Sequence, residues 1–274
     1  MSATLVVLGC GFAGTAVARR ALARGDRVVA TTRDRGRAQA LAAEGIEAHA
    51  IAVLGASDVE ALVPEGARVL VAFPPDGATD ARVAAATAAA ARLAYVSSTA
   101  VYGGATGRVD AETPVDASDE RARARLEAEG VWRARGATLL RAAGIYGPGR
   151  GLHLRLARGD LRVPGGDNVV SRVHVDDLAA AALAALDRPL AGEAFVVADA
   201  LAVPQREVIE WLAARMGLPV PPAARPEDVG PSLRHDRAID ASATWRALGL
   251  SLRFPTWREG FEDCLARDAA QRPR

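Results

Sequence analysis

A glycine-rich segment near the amino terminus constrains the fold of this 274-residue chain more than any other feature. It reads Gly-Cys-Gly-Phe-Ala-Gly from Gly9 to Gly14, between an apolar run at residues 4–8 and an Ala-rich stretch at residues 13–23. In a strand–turn–helix unit, Gly9 allows a tight turn, Gly11 lets the backbone approach a diphosphate, and Gly14 lets the helix pack on the strand. The spacing therefore predicts a dinucleotide-binding turn, with the first amides of the helix facing the diphosphate.

Short apolar runs and Ala-rich stretches alternate through the first half of the chain, which is typical of a parallel sheet with crossover helices. The predicted strands are 4–8, 27–32, 47–51, 68–73, 93–97 and 138–141, and the predicted helices are 13–23, 35–43, 57–62, 80–91 and 118–134. We therefore expect an α/β chain with a Rossmann-type doubly wound parallel sheet and a small C-terminal substrate lobe. Residues 1–150 are expected to form the dinucleotide-binding Rossmann domain. Residues 151–274 are expected to be mainly substrate lobe, with 172–198 returning to the sheet.

The charge composition favours a small-molecule substrate. The 34 basic and 33 acidic residues give a formal net charge of +1, and every basic residue is arginine because the sequence contains no lysine. This near balance predicts no nucleic-acid partner and no membrane partner. Cys10 and Cys264 lie far apart without metal-ligand spacing, so we expect neither a disulfide framework nor a metal site. The sequence shows no signal peptide or membrane span, and we expect a cytoplasmic protein.

The end of the second predicted strand bears on cofactor choice. An NAD site usually places an acidic residue there against the ribose, whereas this chain has Thr32 and then Arg33, which suits a 2′-phosphate. A shift of one residue in the strand end would instead make Asp34 the ribose acceptor, and Arg33 could also be a solvated loop residue. The pattern favours NADP over NAD.

Several segments taken together extend over nearly the whole chain. They are Gly11-Phe12-Ala13-Gly14, Tyr95-Val96-Ser97-Ser98-Thr99-Ala100-Val101-Tyr102-Gly103, Glu112-Thr113-Pro114, Leu140-Arg141, Ile145-Tyr146-Gly147-Pro148-Gly149, Val173-His174-Val175-Asp176-Asp177 and Ala247-Leu248-Gly249-Leu250. Their combination resembles the extended short-chain dehydrogenase/reductase family, the NAD-dependent epimerase/dehydratase group, and especially its atypical members.

The resemblance implies a Ser or Thr that hydrogen-bonds the substrate, a Tyr that exchanges a proton, and a Lys four residues after that Tyr. The Ser/Thr position falls on Ser98. With Glu129 as the family's helix glutamate, the Tyr position falls on Arg121 and the Lys position on Arg125. The Tyr-Lys dyad is therefore absent, and no shift of the alignment restores a lysine. Arg125 could still hold the nicotinamide ribose, but Arg121 cannot exchange a proton at ordinary pH.

The catalytic candidates are therefore Ser98, as the donor to the substrate oxygen, and Tyr102, as a substitute proton donor. The alternatives are a turn-forming serine and a tyrosine that packs under the substrate lobe. For His174 and Asp176 we favour a structural role, with Asp176 capping the following helix. The residues expected to bind the cofactor are Gly9, Gly11, Phe12, Ala13, Gly14, Thr32, Arg33, Phe73, Pro74 and Arg125.

Three functions remain open from the sequence. One is an NAD(P)-dependent oxidoreductase or epimerase-like enzyme, and another is a non-catalytic NADP-binding module with a redox-sensing or regulatory role. The third is non-redox chemistry in the same pocket, which no particular residue indicates. Arg150, Arg155 and Arg172 suggest a substrate that is anionic or sugar-like, although they could equally be surface charges. Residues 80–91 and 118–134 could pair two copies of the chain as a homodimer.

Overall fold

The computed structural model describes residues 3–165, 167–225 and 236–270. Its largest sheet consists of β1 (Thr4–Leu8), β2 (Arg27–Thr32), β3 (Glu47–Ala50), β4 (Arg68–Val71), β5 (Arg92–Ser98), β7 (Thr138–Ala142) and β11 (Ala194–Val197). The strand order is β3-β2-β1-β4-β5-β7-β11, and neighbouring strands are parallel throughout. Successive strands are added outward from β1 on one side and then from β4 on the other, so the strand order reverses between β1 and β4. Ligands bind at such a switch point in open α/β sheets. The predicted Rossmann-type doubly wound sheet is confirmed.

Helices cover both faces of this sheet and extend the chain beyond it. They are α1 (Phe12–Ala23), α2 (Arg35–Ala43), α3 (Ala56–Leu62), α4 (Thr79–Val83), α5 (Glu120–Ala134), α6 (Leu152–Arg158), α7 (Val175–Leu186), α8 (Gln205–Met216), α9 (Ser242–Ala247) and α10 (Trp257–Ala270), with 3-10 turns at Ala85–Thr87 and Thr99–Tyr102. No helix in the described ranges combines the length and apolar character needed to cross a bilayer.

Alternation along the strands divides the apolar side chains between two cores. Leu5 and Val7 of β1 pack in the core that α1 and α7 cover, while Val6 and Leu8 pack in the core that includes Trp132 of α5. Successive side chains of a strand point to opposite faces, so a continuously apolar strand is buried on both sides. Each fully buried side chain of this size contributes about 1.5–3 kcal/mol to folding.

Shorter strands build the region beyond the main sheet. β8 (Gly144–Tyr146) and β10 (Arg172–His174) form a parallel pair. A four-stranded sheet contains β6 (Gly107–Val109), β9 (Val169–Val170), β12 (Val203–Pro204) and β13 (Arg237–Ile239). A third apolar core joins residues of α6, α8 and α10 to Tyr146 of β8. Thus β11 lies at an edge of the main sheet, whereas β10 pairs with β8 outside it.

The predicted helix at 80–91 is wrong in its second half. α4 ends at Val83, and a 3-10 turn, Ala85–Thr87, follows it. The Thr87 hydroxyl donates to the Ala84 carbonyl at 2.7 Å, and the Ala91 amide donates to the Ala67 carbonyl at 2.8 Å. Tertiary hydrogen bonds to the loop before β4 therefore override the helix propensity of the alanine run.

The cap of α7 also differs from the sequence-based interpretation. His174, not Asp176, occupies the N-cap position, and its Nδ1 accepts from the Asp176 amide at 3.2 Å. His174 is fully buried, and burial lowers its pKa to about 4. The carboxylates of Asp176 and Asp263 lie beside this ring, and Arg267 donates to both at 2.9 and 3.1 Å. The cluster therefore ties α7 to α10 through hydrogen bonds and charge.

Candidate active site

A cavity of about 940 Å³ lies at the carboxyl ends of β1, β4 and β5. One wall is the turn between β1 and α1, and the opposite wall is built from β8, β9 and β10 with α6. The volume lies within the range of about 300–1,000 Å³ that is usual for ligand sites. The cavity thus spans the main sheet and the region beyond it.

Close packing explains two of the three glycines in the β1–α1 turn. Gly9 has a φ of +85°, and a Cβ there would lie 2.7 Å from the Cβ of Phe73. A Cβ on Gly14 would lie 2.9 Å from the Gly9 carbonyl oxygen. Gly11 faces open space, with no atom within 4 Å of a Cβ built there. The turn is held to β2 because the Gly9 amide donates to the Thr31 hydroxyl at 3.0 Å.

The start of α1 fits a diphosphate. Gly11 is the N-cap, and no side chain caps the helix. The first amides of a helix have no partner within the helix and carry its positive dipole end. Gly11, Phe12 and Ala13 all line the cavity. An open glycine face beside uncapped amides is the local arrangement that accommodates the diphosphate of a dinucleotide.

The predicted site residues divide into two groups by position. Those that line the cavity are Gly11, Phe12, Ala13, Phe73, Pro74, Ser98 and Arg125. Those outside its lining are Gly9, Gly14, Thr32, Arg33 and Tyr102. Gly9 and Gly14 shape the turn from behind, and Thr32 and Arg33 lie at the end of β2.

Asp34 and Arg33 follow β2 with different surroundings. Asp34 is the N-cap of α2, and its carboxylate accepts from the Arg37 amide at 2.6 Å. Its own amide donates to the Thr32 hydroxyl at 3.3 Å. Arg33 is exposed, and its guanidinium group has no hydrogen-bond or ion-pair partner in the part of the chain that the structure describes. Asp34 is thus engaged in a helix cap, while Arg33 is free to meet a ligand.

Ser98 ends β5 and offers a hydrogen-bond donor to the cavity. Its Oγ accepts from the Ala100 amide at 3.1 Å as the N-cap of the following 3-10 turn. No acceptor for its hydroxyl hydrogen occurs among the described residues. A serine hydroxyl can accept and donate at once. The capping bond therefore orients Oγ and leaves the hydrogen available to a ligand.

Arg125 and Arg121 extend from α5 along the same cavity. Nη1 of Arg125 donates to the Tyr95 hydroxyl at 2.8 Å and to the Val96 carbonyl at 3.3 Å. These bonds fix the guanidinium group against β5, and its remaining N–H groups have no partner within the described ranges. Arg121 is exposed and makes no ion pair there. The two positions that the resemblance assigns to Tyr and Lys therefore present positive charge.

Tyr102 lies in a buried network beneath the cavity. It is fully buried, and its hydroxyl accepts from Nη1 of Arg141 at 3.2 Å. Arg141 also donates to both carboxylate oxygens of Glu129, at 3.0 and 2.8 Å, and the Ser97 hydroxyl donates to Glu129 at 2.6 Å. Burial raises the pKa of Tyr102 above its ordinary value. The network joins β5, β7 and α5, and it gives the Tyr102 hydroxyl no place on the cavity surface.

Positive charge dominates the cavity. Among the described residues that line it, the charged ones are Arg121, Arg125, Arg150, Arg155, Arg158, Arg172, Arg237 and one acid, Asp119. Arg155 and Arg158 are partly neutralised by Asp160, at 3.4 and 3.0 Å. The guanidinium carbon of Arg150 lies 5.2 Å from the ring centroid of Phe12, at the turn itself. The cavity is therefore suited to anions.

Sequence reasoning missed Arg237, which lies on β13 about half-buried. It donates to the carbonyls of Thr99 at 2.6 Å, of Ala105 at 3.1 Å and of Gly103. These acceptors surround the turn after Ser98. No local signal could have identified this residue, because the contacts join positions more than 130 residues apart in the sequence.

Arg172, by contrast, is a buried cation that makes no ion pair with any residue that the structure describes. It is 5% exposed, and its Nη1 donates to the Val170 carbonyl at 3.0 Å. Nη2 is buried and has no partner in the described structure. Burial lowers the pKa of Arg172 to about 10 and raises that of Asp199, nearby, to about 7. The group remains a cation at neutral pH and retains an unused donor.

Two family models match parts of the chain. The NAD dependent epimerase/dehydratase family matches residues 76–198, and a family described as NADP oxidoreductase coenzyme F420-dependent matches residues 4–101. The two matches together cover β1 through β11 and therefore include the elements that form both walls of the cavity.

A curated relative and two solved structures are similar along their whole lengths. A 3-diazoavenalumate denitrifying reductase from a Streptomyces species is 31% identical over 93% of this chain and 98% of its own. A conserved protein of unknown function from Silicibacter pomeroyi is 30% identical, with a TM-score of 0.84 over 97% of this chain and 99% of that one. MoeE5 in complex with UDP-glucose and NAD, at 20% identity, has a TM-score of 0.80 over 98% and 100% of the chains. The last likeness concerns the fold.

Proposed function

This chain belongs to the NAD-dependent epimerase/dehydratase family, and from that membership we propose that it is an NADP-dependent reductase of a small anionic substrate. The family is one of NAD(P)-dependent oxidoreductases and related enzymes, so a nicotinamide dinucleotide is the cofactor to be expected here. The observation that carries the proposal is the free Ser98 donor, which lines the same cavity as the uncapped start of α1.

In the proposed site, the amides of Phe12 and Ala13 bind the diphosphate, and Arg33 binds the 2′-phosphate of the adenosine ribose. Arg125 holds the nicotinamide ribose through the N–H groups that Tyr95 and Val96 leave free. When bound, a reduced nicotinamide supplies a hydride to the substrate. The start of α1, Arg33 and Arg125 would thus each bind a different part of the cofactor: the diphosphate, the 2′-phosphate and the nicotinamide ribose.

Ser98 would donate a hydrogen bond to the substrate oxygen, on which negative charge would develop when a hydride is added to the neighbouring carbon. The positive charges of Arg125 and Arg121 stabilise that charge electrostatically. Neither arginine releases a proton at neutral pH, so the proton that completes the reduction comes from water. This division of roles needs no Tyr-Lys dyad, and Tyr102 acts in it only by supporting the sheet beneath Ser98.

The curated relative carries the name 3-diazoavenalumate denitrifying reductase. Hydride transfer to a carbonyl or to a diazo group places negative charge on an atom of the substrate, which positive side chains stabilise. The arginines in the dyad positions are consistent with either acceptor. MoeE5 binds a sugar nucleotide, which is the other class of anionic substrate that the cavity charge would accept.

A second function is favoured by one observation, the replacement of both dyad positions by arginine. In a non-catalytic NADP-binding module, the cavity would sense the cofactor without turnover. The two functions separate in one assay, because a module binds NADPH without oxidising it in the presence of any carbonyl or diazo compound.

The decisive experiment measures NADPH binding by fluorescence and NADPH oxidation against a panel of anionic carbonyl and diazo compounds. We expect Ser98→Ala to lower kcat by about 100-fold, as for other oxyanion donors, with unchanged affinity for NADPH. Ser57→Ala, on exposed α3 outside the cavity, is the matched control. Equal turnover in Ser98→Ala and wild type would refute the assigned role of Ser98.

Cofactor choice has its own test. We expect Arg33→Ala to weaken NADPH binding by about tenfold and to leave NADH binding unchanged, because only NADPH carries the 2′-phosphate. Arg92→Ala, an exposed arginine at the opposite end of the sheet, is the control. Equal losses for both cofactors would show that Arg33 does not bind the phosphate.

A further inference from the structure

Building on the proposed function, we propose that Arg172 and Tyr146 form an anion-binding subsite in the cavity wall, which takes a carboxylate group of the substrate. Both residues line the cavity on the wall opposite the β1–α1 turn. The subsite is therefore separate from the place where the cofactor diphosphate would lie.

Arg172 is buried and incompletely hydrogen-bonded. The side chain is almost completely removed from solvent, no carboxylate oxygen of a described residue lies within 4.0 Å of its nitrogens, and Nη2 lacks any partner. A buried charge without a counterion is unfavourable, and a buried donor left unused carries a desolvation cost. A substrate carboxylate at Nη2 would relieve both.

Tyr146 supplies a second unused donor on the same face. In the β8–β10 ladder, Gly144 is paired with Arg172 and Tyr146 with His174, so Arg172 and Tyr146 project from the same side of this strand pair. The Tyr146 hydroxyl is buried and has no hydrogen-bond partner among the residues described. Burial raises its pKa far above neutrality, so the group is a neutral donor.

Packing holds the Tyr146 hydroxyl in place. Its ring stacks on Phe261 with centroids 4.4 Å apart and meets His174 edge-on at 5.4 Å. The hydroxyl lies against the backbone of α10, where a Cβ on Gly260 would come within 1.9 Å of its oxygen. A donor that is fixed before binding loses little freedom when it meets a ligand.

The donor set favours a carboxylate over a phosphate. One guanidinium group and one neutral hydroxyl supply a single positive charge, which matches a monoanion. Within the described ranges, the neighbouring acid Asp199 accepts a hydrogen bond from the Leu201 amide at 3.3 Å, and its Oδ2 has no partner there. A dianion beside this carboxyl group would lack sufficient positive charge, whereas a monoanion requires only that Asp199 be protonated.

The competing explanation is that Arg172 and Asp199 serve each other through bridging water as a purely structural pair. In that case removal of either residue destabilises the protein, and the anion preference of the cavity is unaffected. In the proposed subsite, Asp199 competes with the ligand for Arg172, so Asp199→Asn tightens anion binding. The two explanations therefore predict different results for Asp199→Asn: unchanged anion binding for a structural pair, and tighter anion binding for the subsite.

The experiment uses the full-length protein saturated with NADP⁺, titrated calorimetrically with benzoate and, as its uncharged counterpart, benzamide. We expect wild type to bind benzoate at least about tenfold more tightly than benzamide, the usual worth of a charged hydrogen bond. Arg172→Gln should abolish that preference, Tyr146→Phe should reduce it by about threefold, and Asp199→Asn should increase it. Arg215→Gln, an exposed arginine on α8 paired with Glu262, is the matched control.

The outcomes separate the two proposals. Failure to bind NADP⁺ would overturn the proposed function itself. NADP⁺ binding with equal affinity for benzoate and benzamide, or with no binding of benzoate, would overturn the subsite alone. Circular dichroism checks the fold of each variant. Should Arg172→Gln fail to fold, Asp199→Asn decides: tighter benzoate binding supports the subsite, and unchanged binding overturns it.

Discussion

Two buried arginines in this molecule have contrasting surroundings. Arg141, on β7, is 4% exposed and donates to both oxygens of Glu129 and to the Tyr102 hydroxyl. Arg172, on β10, is equally buried, but the described part of the chain gives it a single backbone acceptor and no partner for Nη2. The first lies beneath the cavity, and the second lies in its wall.

This difference distinguishes buried charges that stabilise the fold from buried charges that are available to bind a ligand. A bidentate pair with each group satisfied holds the sheet together and has no capacity left for a ligand. A buried cation with an unused donor is unfavourable when no ligand is bound, and an anionic ligand supplies the missing counterion and acceptor. Removing the partner of Arg141 should therefore damage folding, whereas removing Arg172 should damage only binding.

The largest effect is expected from Glu129→Gln. This change leaves the Arg141 charge buried without its counterion, and loss of one partner from such a pair typically costs about 3–5 kcal/mol. We expect the free energy of unfolding to fall by that amount, measured by urea denaturation at pH 7.

The control for this prediction is the double variant Glu129→Leu with Arg141→Met. Replacing both charges by apolar side chains removes the pair without leaving an isolated ion, so we expect stability within about 2 kcal/mol of wild type. A double variant as unstable as Glu129→Gln would mean that packing, not charge, explains the loss.

The next effect in size concerns Asp199. Burial raises its folded pKa to about 7, while in the unfolded chain an aspartate has a pKa of about 3.9. Between these values the folded state binds the proton more tightly, so its contribution to stability is present below about pH 4 and is lost as the pH rises towards 7. We expect the stability of wild type relative to Asp199→Asn to fall by about 3–4 kcal/mol across this interval, because the folded and unfolded pKa values differ by about three units.

Denaturation of both proteins from pH 4 to pH 8 checks this prediction. His174 opposes it, because its lowered pKa costs stability as the pH falls below about 6.5, but that contribution is the same in both proteins and cancels in the difference. If Asp199 were instead an ionised partner of Arg172, the relative stability would rise with pH. That result would break the contrast between the two arginines.

The smallest effect is expected from Arg172→Met. The substitution removes an uncompensated buried charge and keeps an unbranched side chain, so we expect the free energy of unfolding to change by no more than about 1 kcal/mol. Arg141→Met should lose about 3–5 kcal/mol in the same urea experiment, because it strands Glu129. Similar losses for the two variants would assign Arg172 a structural role.

Much of the fold follows from local sequence. The strands that are buried on both faces carry unbroken apolar runs, and the glycines from Gly9 to Gly14 indicate a close approach of strand and helix. The bounds of β1, β2 and α2 could therefore be predicted almost to the residue. The helix over residues 80–91 could not, since it is ended by hydrogen bonds to a loop distant in sequence.

Less of the candidate site than of the fold could be predicted from the sequence. Ser98 and Arg125 could be selected because their positions in a motif imply a shared cavity, which both line. The partners of Arg141 and Arg237, and the lack of one for Arg172, depend on side chains that meet only in the folded chain. Tyr102 illustrates the limit: Ser98, four residues earlier, lines the cavity, whereas the Tyr102 side chain is buried in the apolar core.

The three bonds from Arg237 to the turn after Ser98 have a practical consequence for chimeric proteins. A graft that replaces the C-terminal third with that of a relative also replaces the anchor of the serine, although the serine itself is untouched. Exchange of specificity between relatives will therefore succeed only when residues 99–105 and the strand bearing Arg237 are transplanted together.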